Sequence, residues 1–527
     1  MDVLLKEVAA IPANGSSGHP VGAARGAPAR GRDVAPAGMR LTPDPGARLV
    51  ADGSVLVGGS PVRVLRLTPA GSRQVRSWFS GVPVPPGAGA RALARKLLDA
   101  GIAHPDFCGP DLEFPGVADV TVVIPVRGRH AELDRCLAGL RDLPHVIVVD
   151  DASEDPVAIK RIAEGHGASV IRRPVNGGPG AARNTGLRAA GTEIVAFLDS
   201  DCVPEPGWLE NLLPHFADPA VGAVAPRIVP HENGNGWLAR YEGASSTLDM
   251  GARPSVVRPG ARVSYVPGAA LAVRKAAAGQ GFRDGMYVGE DVDFVWRMAA
   301  AGWRVRYEPR AAMGHDHRVT FRAWFSRRAD YGTSAAALEE LHPGSVRPLY
   351  ASWWTLGAWA AALAGRPLTA AALTGAATAL LSRRLAKVTG ERWPLPEPPP
   401  ESAAWQLALR LAGGGTVAAG RPIGSALSRT WWPVAIPAAL AVKRLRLPVA
   451  ALILAPPLLD WADRKPPLDP ARYVAARLLD DAAYSLGVWQ GCLARRTVRP
   501  LLPAVGGGRQ AESGGRRAGS GGRQAGR

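Results

Sequence analysis

Two aspartates one residue apart follow an apolar run in AFLDSDCVP, residues 196–204. At the end of a buried strand, the carboxylates of Asp199 and Asp201 would repel each other unless a positive charge lay between them. A hard divalent cation such as Mg²⁺ or Mn²⁺ prefers oxygen ligands of this kind and can bridge them to a diphosphate. We therefore expect a metal site here, although the capping of a following helix would account for one aspartate.

A second pair, Asp150 and Asp151, ends the apolar run HVIVVDD. A carboxylate at this point can accept hydrogen bonds from the imide N–H of a uracil base or from ribose hydroxyls. The segment RRPVNGGPGAARNTG follows, and its glycines allow the backbone to approach a ligand closely. Arg183 and Asn184 are predicted to open a helix whose N-terminus favours phosphate. The two aspartates and these two residues are candidate nucleotide ligands.

Acidic residues crowd the start of a predicted amphipathic helix in MYVGEDVDFVWRMAAAGWRV. One explanation for Glu290, Asp291 and Asp293 is that they stabilise the positive end of the helix dipole. The other is that a carboxylate of this group acts as general base on an acceptor hydroxyl. The spacing alone leaves both explanations open.

Two histidines lie past the end of a short apolar run in GHDHRVTFR. A histidine pair is commonly structural or merely exposed, but an imidazole also suits a metal that is held by two carboxylates. Either His315 or His317 could supply this ligand, because residues two apart on a strand share a face. Arg318 follows them as a candidate contact for the diphosphate.

Apolar runs rich in β-branched residues alternate with helical stretches from residue 119 onward. The runs are TVVIPV, HVIVVDD, SVIRRP and EIVAFLDSD, and the segments between them include RHAELDRCLAGLRDL. This alternation predicts an α/β fold with a mixed or parallel sheet covered by helices on both faces. Ligands of such sheets bind at the carboxyl ends of the strands, which is where the aspartates fall.

Changes in composition divide the chain into five segments. Residues 1–38 and 506–527 are rich in Gly, Ala, Pro and Arg without periodicity, and are predicted to be disordered tails. Residues 39–115 predict a small α+β unit with two short strands and two helices. Residues 116–335 hold the strand–helix alternation, and residues 336–505 predict a helical region.

The helical region is rich in tryptophan. Nine of the fifteen tryptophans lie between residues 350 and 490, and residues 348–365 form an uncharged stretch of 18 residues bracketed by Arg347 and Arg366. This length is near the lower limit for a membrane-spanning helix, and tryptophan beside arginine is typical of membrane interfaces. We therefore expect membrane association, with a water-soluble helical domain as the alternative.

The formal net charge of +18 gives no argument for nucleic acid. Only seven of the 63 basic residues are lysines, and Arg, Ala, Gly and Pro are all frequent, as in proteins from GC-rich bacterial genomes. The four cysteines are far apart and show no metal-ligand spacing, which favours a reducing compartment. The N-terminus lacks the pattern of a secretory signal, so we expect the protein on the cytoplasmic side of the inner membrane.

Seven motifs in order resemble the inverting glycosyltransferases of family 2, which have the GT-A fold. They are PVRGR, VVDDAS, NGGPGAARNTG, FLDSD, VPGAALAVR, GEDVDFVWR and HDHR, over about 200 residues. The resemblance implies that a nucleoside diphosphate sugar is the donor and that the anomeric centre inverts in a single displacement. The acceptor hydroxyl would then need a general base.

The resemblance also implies a role for each matching residue. Asp151 would bind uracil, the loop after Pro125 would cover the nucleotide, and Arg183 would lie near the base or the diphosphate. Asp199 and Asp201 would hold Mg²⁺ or Mn²⁺ with His315 or His317. Of the acidic pair Glu290 and Asp291, the resemblance favours Asp291 as the base.

The layout of the whole chain is similar to that of the mycofactocin-system glycosyltransferases of actinobacteria. This similarity implies UDP-glucose as donor, a peptide-derived redox cofactor precursor as acceptor and a short β-1,4-glucan as product. The N-terminal unit also resembles the PqqD-like modules that bind a precursor peptide. The Gln-x-x-Arg-Trp string of processive synthases does not occur, which disfavours a long-chain polymer.

Three other functions compete with this one. A cell-envelope glycosyltransferase of the same fold, adding rhamnose or galactofuranose to a lipid-linked acceptor, would suit the basic C-terminal region. A sugar-nucleotide nucleotidyltransferase would carry a glycine-rich phosphate loop after the first strand, and PVRGRHAEL lacks the glycine cluster. A non-catalytic binding module would not need the metal ligands and the acidic pair together.

Overall fold

The computed structural model describes residues 32–107, 112–231, 234, 236–317, 320–389 and 402–506. Most of the two predicted disordered tails lies outside these ranges. Residues 32–38 do not fit that prediction. Ala35 is fully buried, and its carbonyl oxygen accepts a hydrogen bond of 2.7 Å from Nε of Arg91, because this segment packs against the core of the N-terminal unit.

The strands are distributed over the N-terminal unit, the central domain and one late pair. They are β1 (Arg40–Pro43), β2 (Arg48–Val50), β3 (Val55–Gly58), β4 (Arg63–Arg66), β5 (Ala103–Asp106), β6 (Val120–Val126), β7 (Val146–Asp151), β8 (Ser169–Arg173), β9 (Ile194–Leu198), β10 (Cys202–Pro204), β11 (Val221–Pro230), β12 (Ser255–Val256), β13 (Ala270–Arg274), β14 (Arg304–His315), β15 (Tyr350–Ala351) and β16 (Ala504–Val505).

The α-helices become longer and more frequent after β14. They are α1 (Pro69–Phe79), α2 (Ala88–Ala100), α3 (His130–Ala138), α4 (Pro156–Gly165), α5 (Gly178–Ala189), α6 (Trp208–Leu212), α7 (Trp237–Ser245), α8 (Glu290–Ala300), α9 (Phe321–Leu341), α10 (Trp353–Leu363), α11 (Pro367–Thr389), α12 (Ala403–Ala408), α13 (Gly415–Ala418), α14 (Gly420–Ala426), α15 (Trp432–Ala441), α16 (Arg446–Arg464) and α17 (Pro470–Ala494). Two π-helical segments, Leu409–Gly414 and Leu427–Trp431, link helices of the C-terminal region.

The central sheet is mixed. Its strand order is β10-β14-β11-β13-β9-β6-β7-β8, and β12 pairs with β14. Strands β9, β6, β7 and β8 are parallel, as the alternation of strands and helices predicts, whereas β13 runs antiparallel to both β9 and β11. The parallel half therefore carries the ends of three neighbouring strands to one edge of the sheet.

Helices cover both faces of this sheet, because alternate side chains of a strand point to opposite faces. In β6, Val122 and Ile124 belong to the core beneath α3, α4 and α6. Val123 points the other way, into the core beneath α5 and α8. The predicted α/β sandwich with helices on both faces is confirmed.

The N-terminal unit contains five strands, β1 to β5, where the sequence predicts two. Strands β2, β3 and β4 form an antiparallel sheet, and β1 pairs with β5. One group of side chains from the three-stranded sheet, including Val55 and Val64, packs against Leu381 and Leu385 of α11. The N-terminal unit therefore contacts the C-terminal region as well as the central domain.

The C-terminal region is helical, as predicted, but it is not set apart from the central domain at residue 335. That position lies inside α9, which runs without a break from Phe321 to Leu341. The 18-residue stretch 348–365 contains the short strand β15 and the 11-residue helix α10, which is about 16 Å long and too short to span a bilayer. Within the described ranges, one helix is long and apolar enough to do so, Lys443–Arg464.

Candidate active site

A cavity of about 880 Å³ lies at the carboxyl ends of the parallel strands. Pro125 near the end of β6, Asp151 at the end of β7 and Asp199 just after β9 all line it. The volume is near the upper end of the range for small-molecule sites. Sheet topology therefore brings together residues that are far apart in the chain, at the edge where they are expected.

Asp201 and His315 meet because β10 and β14 are paired antiparallel, with Cys202 opposite His315. The carboxylate of Asp201, the thiol of Cys202 and the imidazole of His315 lie within 4.8 Å of one another. Nε2 of His315 is 3.6 Å from Oδ1 of Asp201. Asp199 lies two residues before Asp201, and its backbone carbonyl accepts a hydrogen bond of 3.0 Å from the amide of Cys202.

These residues fit a divalent cation of the Mg²⁺ or Mn²⁺ class. Carboxylate oxygens with one imidazole form a donor set that such ions accept. Nδ1 of His315 is buried and has no hydrogen-bond partner among the described residues, so the ring is not committed to a protein network. Burial raises the pKa of the Cys202 thiol well above its usual value, which keeps the thiol protonated and unsuited to bind the ion.

The structure separates the two histidines that the spacing leaves equivalent. His315 lines the cavity, whereas His317 points towards Glu242, with Nδ1 3.9 Å from Oε2. Burial lowers the pKa of His317 to about 4. The structure thus brings His315 to Asp201 and does not bring His317. Arg318 lies outside the described residues.

Two arginines balance the acidic edge of the cavity. Arg183 is buried, with one guanidinium nitrogen 2.6 Å from Oδ1 of Asp199 and the other 3.0 Å from Oε1 of Glu290. Arg129, in the loop after β6, forms an ion pair with Asp201. The motif PVRGR indicated a loop that covers the nucleotide, but only the fold shows that its second arginine, Arg129, reaches Asp201.

The helix of the glycine-rich segment begins earlier than predicted. It begins at Gly178, so Arg183 and Asn184 lie in its middle rather than at its opening. The reason is local: Gly178 has φ 83°, a conformation that glycine adopts without strain, and Pro179 favours the first turn. Asn184 exchanges two hydrogen bonds of 2.7 Å with the backbone of Phe282 and so fastens the helix to the following loop.

The helix N-terminus already holds an anion, the carboxylate of Asp151. The amides of Gly177 and Gly178 donate to it at 2.8–3.2 Å, and Nε of Arg173 donates at 2.8 Å. Asp151 still lines the cavity, and its contact with uracil stays a prediction.

The other aspartate of this pair, Asp150, lies away from the cavity. It accepts a hydrogen bond of 2.8 Å from the amide of Ser153 and pairs with Arg172. Within the described ranges, neither Asp150 nor Asn184 is among the residues that line the cavity. Both side chains instead support the loops that carry Asp151 and Arg183.

The acidic pair occupies the first turn of α8 and lines the same cavity. Burial, reinforced by the neighbouring charge of Asp291, raises the pKa of Glu290 to about 7. Burial also raises the pKa of Asp291, although the amides of Gly268 and Val292 donate to it at 2.6 and 2.8 Å. Two carboxyls with raised pKa values in one cavity are characteristic of acid–base sites.

The third acid of this turn is structural. Asp293 is fully buried and forms ion pairs with Arg297 at 2.8 Å and with His342 at 2.9 Å. These two partners lower its pKa to about 2 against the opposing effect of burial. A structural role therefore accounts for Asp293, whereas Glu290 and Asp291 line the cavity.

Several cavity residues are absent from the motifs. They come from the loop after β12, from α9, from the second π-helical segment and from α17, and they are Tyr265, Arg327, Tyr331, Arg429 and Tyr484. No spacing in the sequence marks them, because helices distant in the chain bring them to the cavity. One signal for α17 was present in GVWQG, whose two glycines predict close helix packing.

Comparison with known proteins identifies the family. Residues 121–278 match the model of glycosyl transferase family 2. The pre-mycofactocin glycosyltransferase of Mycobacterium tuberculosis strain H37Rv is 40% identical over 487 residues, which are 89% of this chain and 98% of that protein.

Other similarities are more distant. The O-antigen chain rhamnosyltransferase RfbN of Salmonella typhimurium is 26% identical and covers 29% of this chain and 51% of its own length. Among solved structures, a mannosyltransferase of Pyrobaculum calidifontis in complex with GDP-Man and Mn²⁺ is 21% identical, covers 70% of this chain and 89% of its own, and has a TM-score of 0.34. Similarity at this level does not carry a donor or a metal over to this protein. From the family model and the 40% identity over nearly the whole chain, the protein belongs to glycosyl transferase family 2 and, within it, to the family of the pre-mycofactocin glycosyltransferases.

Proposed function

We propose that this glycosyltransferase moves glucose from UDP-glucose to pre-mycofactocin with inversion at the anomeric carbon, and that it builds a short β-1,4-glucan. One observation carries the proposal: Arg183 joins Asp199 at the metal site to Glu290 at the start of α8, inside one cavity. The name of the 40% identical relative supports the choice of acceptor.

Asp199, Asp201 and His315 would hold the divalent cation. When bound, Mg²⁺ or Mn²⁺ supplies positive charge to the diphosphate as it departs. Arg183 and Arg129 already pair with the two aspartates, so both guanidinium groups are placed to stabilise negative charge at the same end of the cavity. Asp151 and Pro125 contribute to the wall against which the nucleotide binds.

Asp291 is the proposed general base. The acceptor hydroxyl transfers its proton to an Asp291 carboxylate oxygen as its own oxygen attacks the anomeric carbon. Glu290 is tied to Arg183, which leaves Asp291, held only by backbone amides, as the acid without a cationic partner among the described residues. Burial raises the pKa of Asp291, so its proton affinity is closer to that needed at neutral pH.

A turnover assay tests the proposal. Purified protein is incubated with Mn²⁺ or Mg²⁺, a panel of UDP-sugars and pre-mycofactocin, and the products are weighed by mass spectrometry. We expect increments of one hexose from UDP-glucose. If UDP is released but pre-mycofactocin stays unmodified, the acceptor is wrong and a lipid-linked envelope acceptor becomes the better candidate. If no UDP is released under any condition, the proposed donor is wrong.

We also propose that the C-terminal region binds the cytoplasmic surface of the membrane. An 18-residue window of the helix Lys443–Arg464 has a mean hydropathy of 1.4, yet only 11% of that window is buried in the protein, unlike a core helix. Leu447 and Leu454 are 80% and 41% exposed, and Lys443, Arg444 and Arg446 lie at its start. Exposed apolar side chains beside cations suit anionic lipid.

Vesicle flotation tests this attachment. The protein should float with vesicles of phosphatidylglycerol and much less with phosphatidylcholine. Leu447→Glu should weaken flotation, whereas Leu368→Glu, on the exposed part of α11, is the control. Equal binding of both variants would contradict a membrane role for the Lys443–Arg464 helix.

The N-terminal unit is our proposed site for a precursor peptide. Its three-stranded sheet ends in β2 and β4, which have no further strand partner among the described residues, and an extended peptide can add to such an edge. Fluorescence anisotropy with a labelled precursor peptide tests this idea. Saturable binding supports it, and no binding at micromolar concentrations contradicts it.

A further inference from the structure

Three tyrosines line the cavity near the proposed base. Tyr265 precedes the loop that carries Gly268, whose amide donates to Asp291, while Tyr331 lies on α9 and Tyr484 on α17. Of the three, Tyr265 lies within residues 121–278, which match the family model, and Tyr331 and Tyr484 lie beyond them. The central domain therefore supplies one of these aromatic side chains, and the helices beyond it supply two.

Close contact between α9 and α17 places two of these rings. An added Cβ at Gly487 would be 1.8 Å from the carbonyl oxygen of Ala329, and one at Gly332 would be 2.1 Å from that of Tyr484. The two helices touch through their backbones at these glycines, because no side chain separates them. Tyr331 directly precedes Gly332, so the contact brings its ring to the same part of the cavity as that of Tyr484.

Two of the three phenol groups have no hydrogen-bond partner among the described residues of the protein. Tyr265 and Tyr484 are half-buried, and within the described ranges their hydroxyls make no hydrogen bond to protein. Tyr331 shares a hydrogen bond with Arg327, whose guanidinium carbon is 4.9 Å from the centre of its ring. Tyrosine hydroxyls that are buried usually have a partner, so free hydroxyls that face a cavity indicate a ligand.

Two of the cations at this part of the cavity are paired with carboxylates. The guanidinium of Arg429 lies 4.5 Å from the ring centre of Tyr484 and pairs with Asp481 at 3.5 Å. Arg347 pairs with Glu339 at 2.9 Å. Burial raises the pKa of Tyr265 to about 12, and Asp291 adds to the effect, so this phenol stays neutral. A third cation, Arg327, is engaged by the hydroxyl of Tyr331. Cations that already have partners, beside the neutral phenol of Tyr265, favour an uncharged ligand over an anionic one.

We propose that Tyr265, Tyr331 and Tyr484 form the acceptor subsite and that it binds an uncharged ring compound bearing several oxygens. Aromatic rings supply flat apolar surface, and their hydroxyls hydrogen-bond the oxygens of the ligand. Either the ring of pre-mycofactocin itself or the terminal glucose of the growing chain has this chemistry. The inference rests on the proposed function for the identity of the acceptor, but not for the existence of the subsite.

Tyrosine-to-phenylalanine variants test the subsite, because they remove one hydroxyl and keep the ring. Tyr484→Phe and Tyr265→Phe should each raise the acceptor KM about three- to tenfold, the effect of one lost hydrogen bond. The affinity for UDP should not change. Tyr350→Phe is the matched control: Tyr350 lines the same cavity, but its hydroxyl already donates to the carbonyls of Gly344 and Ser345 at 3.0 and 3.2 Å.

A comparison of two acceptors identifies which ring the subsite binds. Unmodified and singly glucosylated pre-mycofactocin are compared as acceptors: a KM rise for the first assigns the subsite to the aglycone, and a rise for the second assigns it to the sugar. An unchanged KM for both acceptors in Tyr484→Phe and in Tyr265→Phe would overturn the proposal. A parallel loss of UDP affinity would do the same, since the tyrosines would then serve the donor.

A binding measurement separates failure of the subsite from failure of the proposed function. If the wild-type enzyme transfers no hexose to pre-mycofactocin, methyl β-D-glucopyranoside is titrated into the UDP-bound protein by calorimetry. Binding that weakens in Tyr484→Phe but not in Tyr350→Phe supports the subsite without the acceptor. Absence of binding of both this glucoside and pre-mycofactocin to the wild-type protein overturns it.

Discussion

The two parts of the cavity differ in composition and in origin. The donor part is built from carboxylates and arginines at the ends of β7, β9 and β14, within short motifs. The acceptor part is built largely from aromatic side chains on α9 and α17, which are about 150 residues apart in the chain. Few residue types can bind a cation or a diphosphate. Many different side chains can form a surface that binds a neutral ring. The donor part is therefore readable in the sequence, and the acceptor part is not.

Removal of a metal ligand should have the largest effect. Asp201→Ala leaves His315 without its carboxylate neighbour, and transfer from UDP-glucose should fall about a thousandfold or more, since the charge on the leaving group loses several kcal/mol of stabilisation. The matched control is Asp316→Ala, because Asp316 pairs with Arg135 nearby and is not among the residues lining the cavity. Initial rates of UDP release measure both. Equal rates in the two variants would contradict the metal site.

Loss of the proposed base should have the next largest effect on transfer and should leave donor binding nearly unchanged. Asp291→Asn should lower kcat about a hundredfold or more, while the affinity for UDP stays within about twofold. Glu290→Gln breaks the ion pair with Arg183 and should change both quantities. Rapid-quench rates and UDP titration separate the two variants. A larger kcat loss in Glu290→Gln than in Asp291→Asn would exchange their roles.

The pH dependence should show the shared titration of this pair. The pKa of Glu290 is raised from 4.5 to about 7, so the carboxyl binds its proton more tightly when folded. Its contribution to stability is then greatest below about pH 4.5 and declines as the pH rises to about 7. Because the ion pair with Arg183 requires ionised Glu290, kcat/KM should rise about tenfold per pH unit below 7 and level off above it. A profile that is flat from pH 5.5 to 8, or unaltered in Glu290→Gln, would contradict this assignment.

Separation of the two helices should have the smallest kinetic effect and should be confined to the acceptor part. Gly487→Ala places a methyl group against the backbone of α9 and should destabilise the protein by about 1–3 kcal/mol. The acceptor KM should rise several-fold with the UDP affinity unchanged. Gly375→Ala in α11, where an added Cβ meets nothing within 4 Å, should stabilise by about 0.5–1 kcal/mol. Thermal unfolding measures both, and equal melting temperatures would contradict the close helix contact.

Local features explain what the sequence indicated correctly and where it was wrong. The alternation of apolar runs and helices predicted the sheet, and Asp199, Asp201 and Asp291 were found where strand ends and a helix start were expected. The helix at Gly178 was placed too late, because the pattern emphasised Arg183 over the glycine and proline that begin the helix. Asp150 has the same residue type as Asp151, but successive side chains of a strand point to opposite faces, so Asp150 points away from the cavity.

The sequence by itself determined the alternation of strands and helices in the parallel half and the residue types of the donor part, because β-branched runs and paired carboxylates are local patterns. Tertiary structure alone decided which histidine meets Asp201, since the pairing of β10 with β14 selects His315. It also decided which aromatic side chains face the base. Packing between α9 and α17 depends on contacts that are distant in the chain, and no local pattern encodes them.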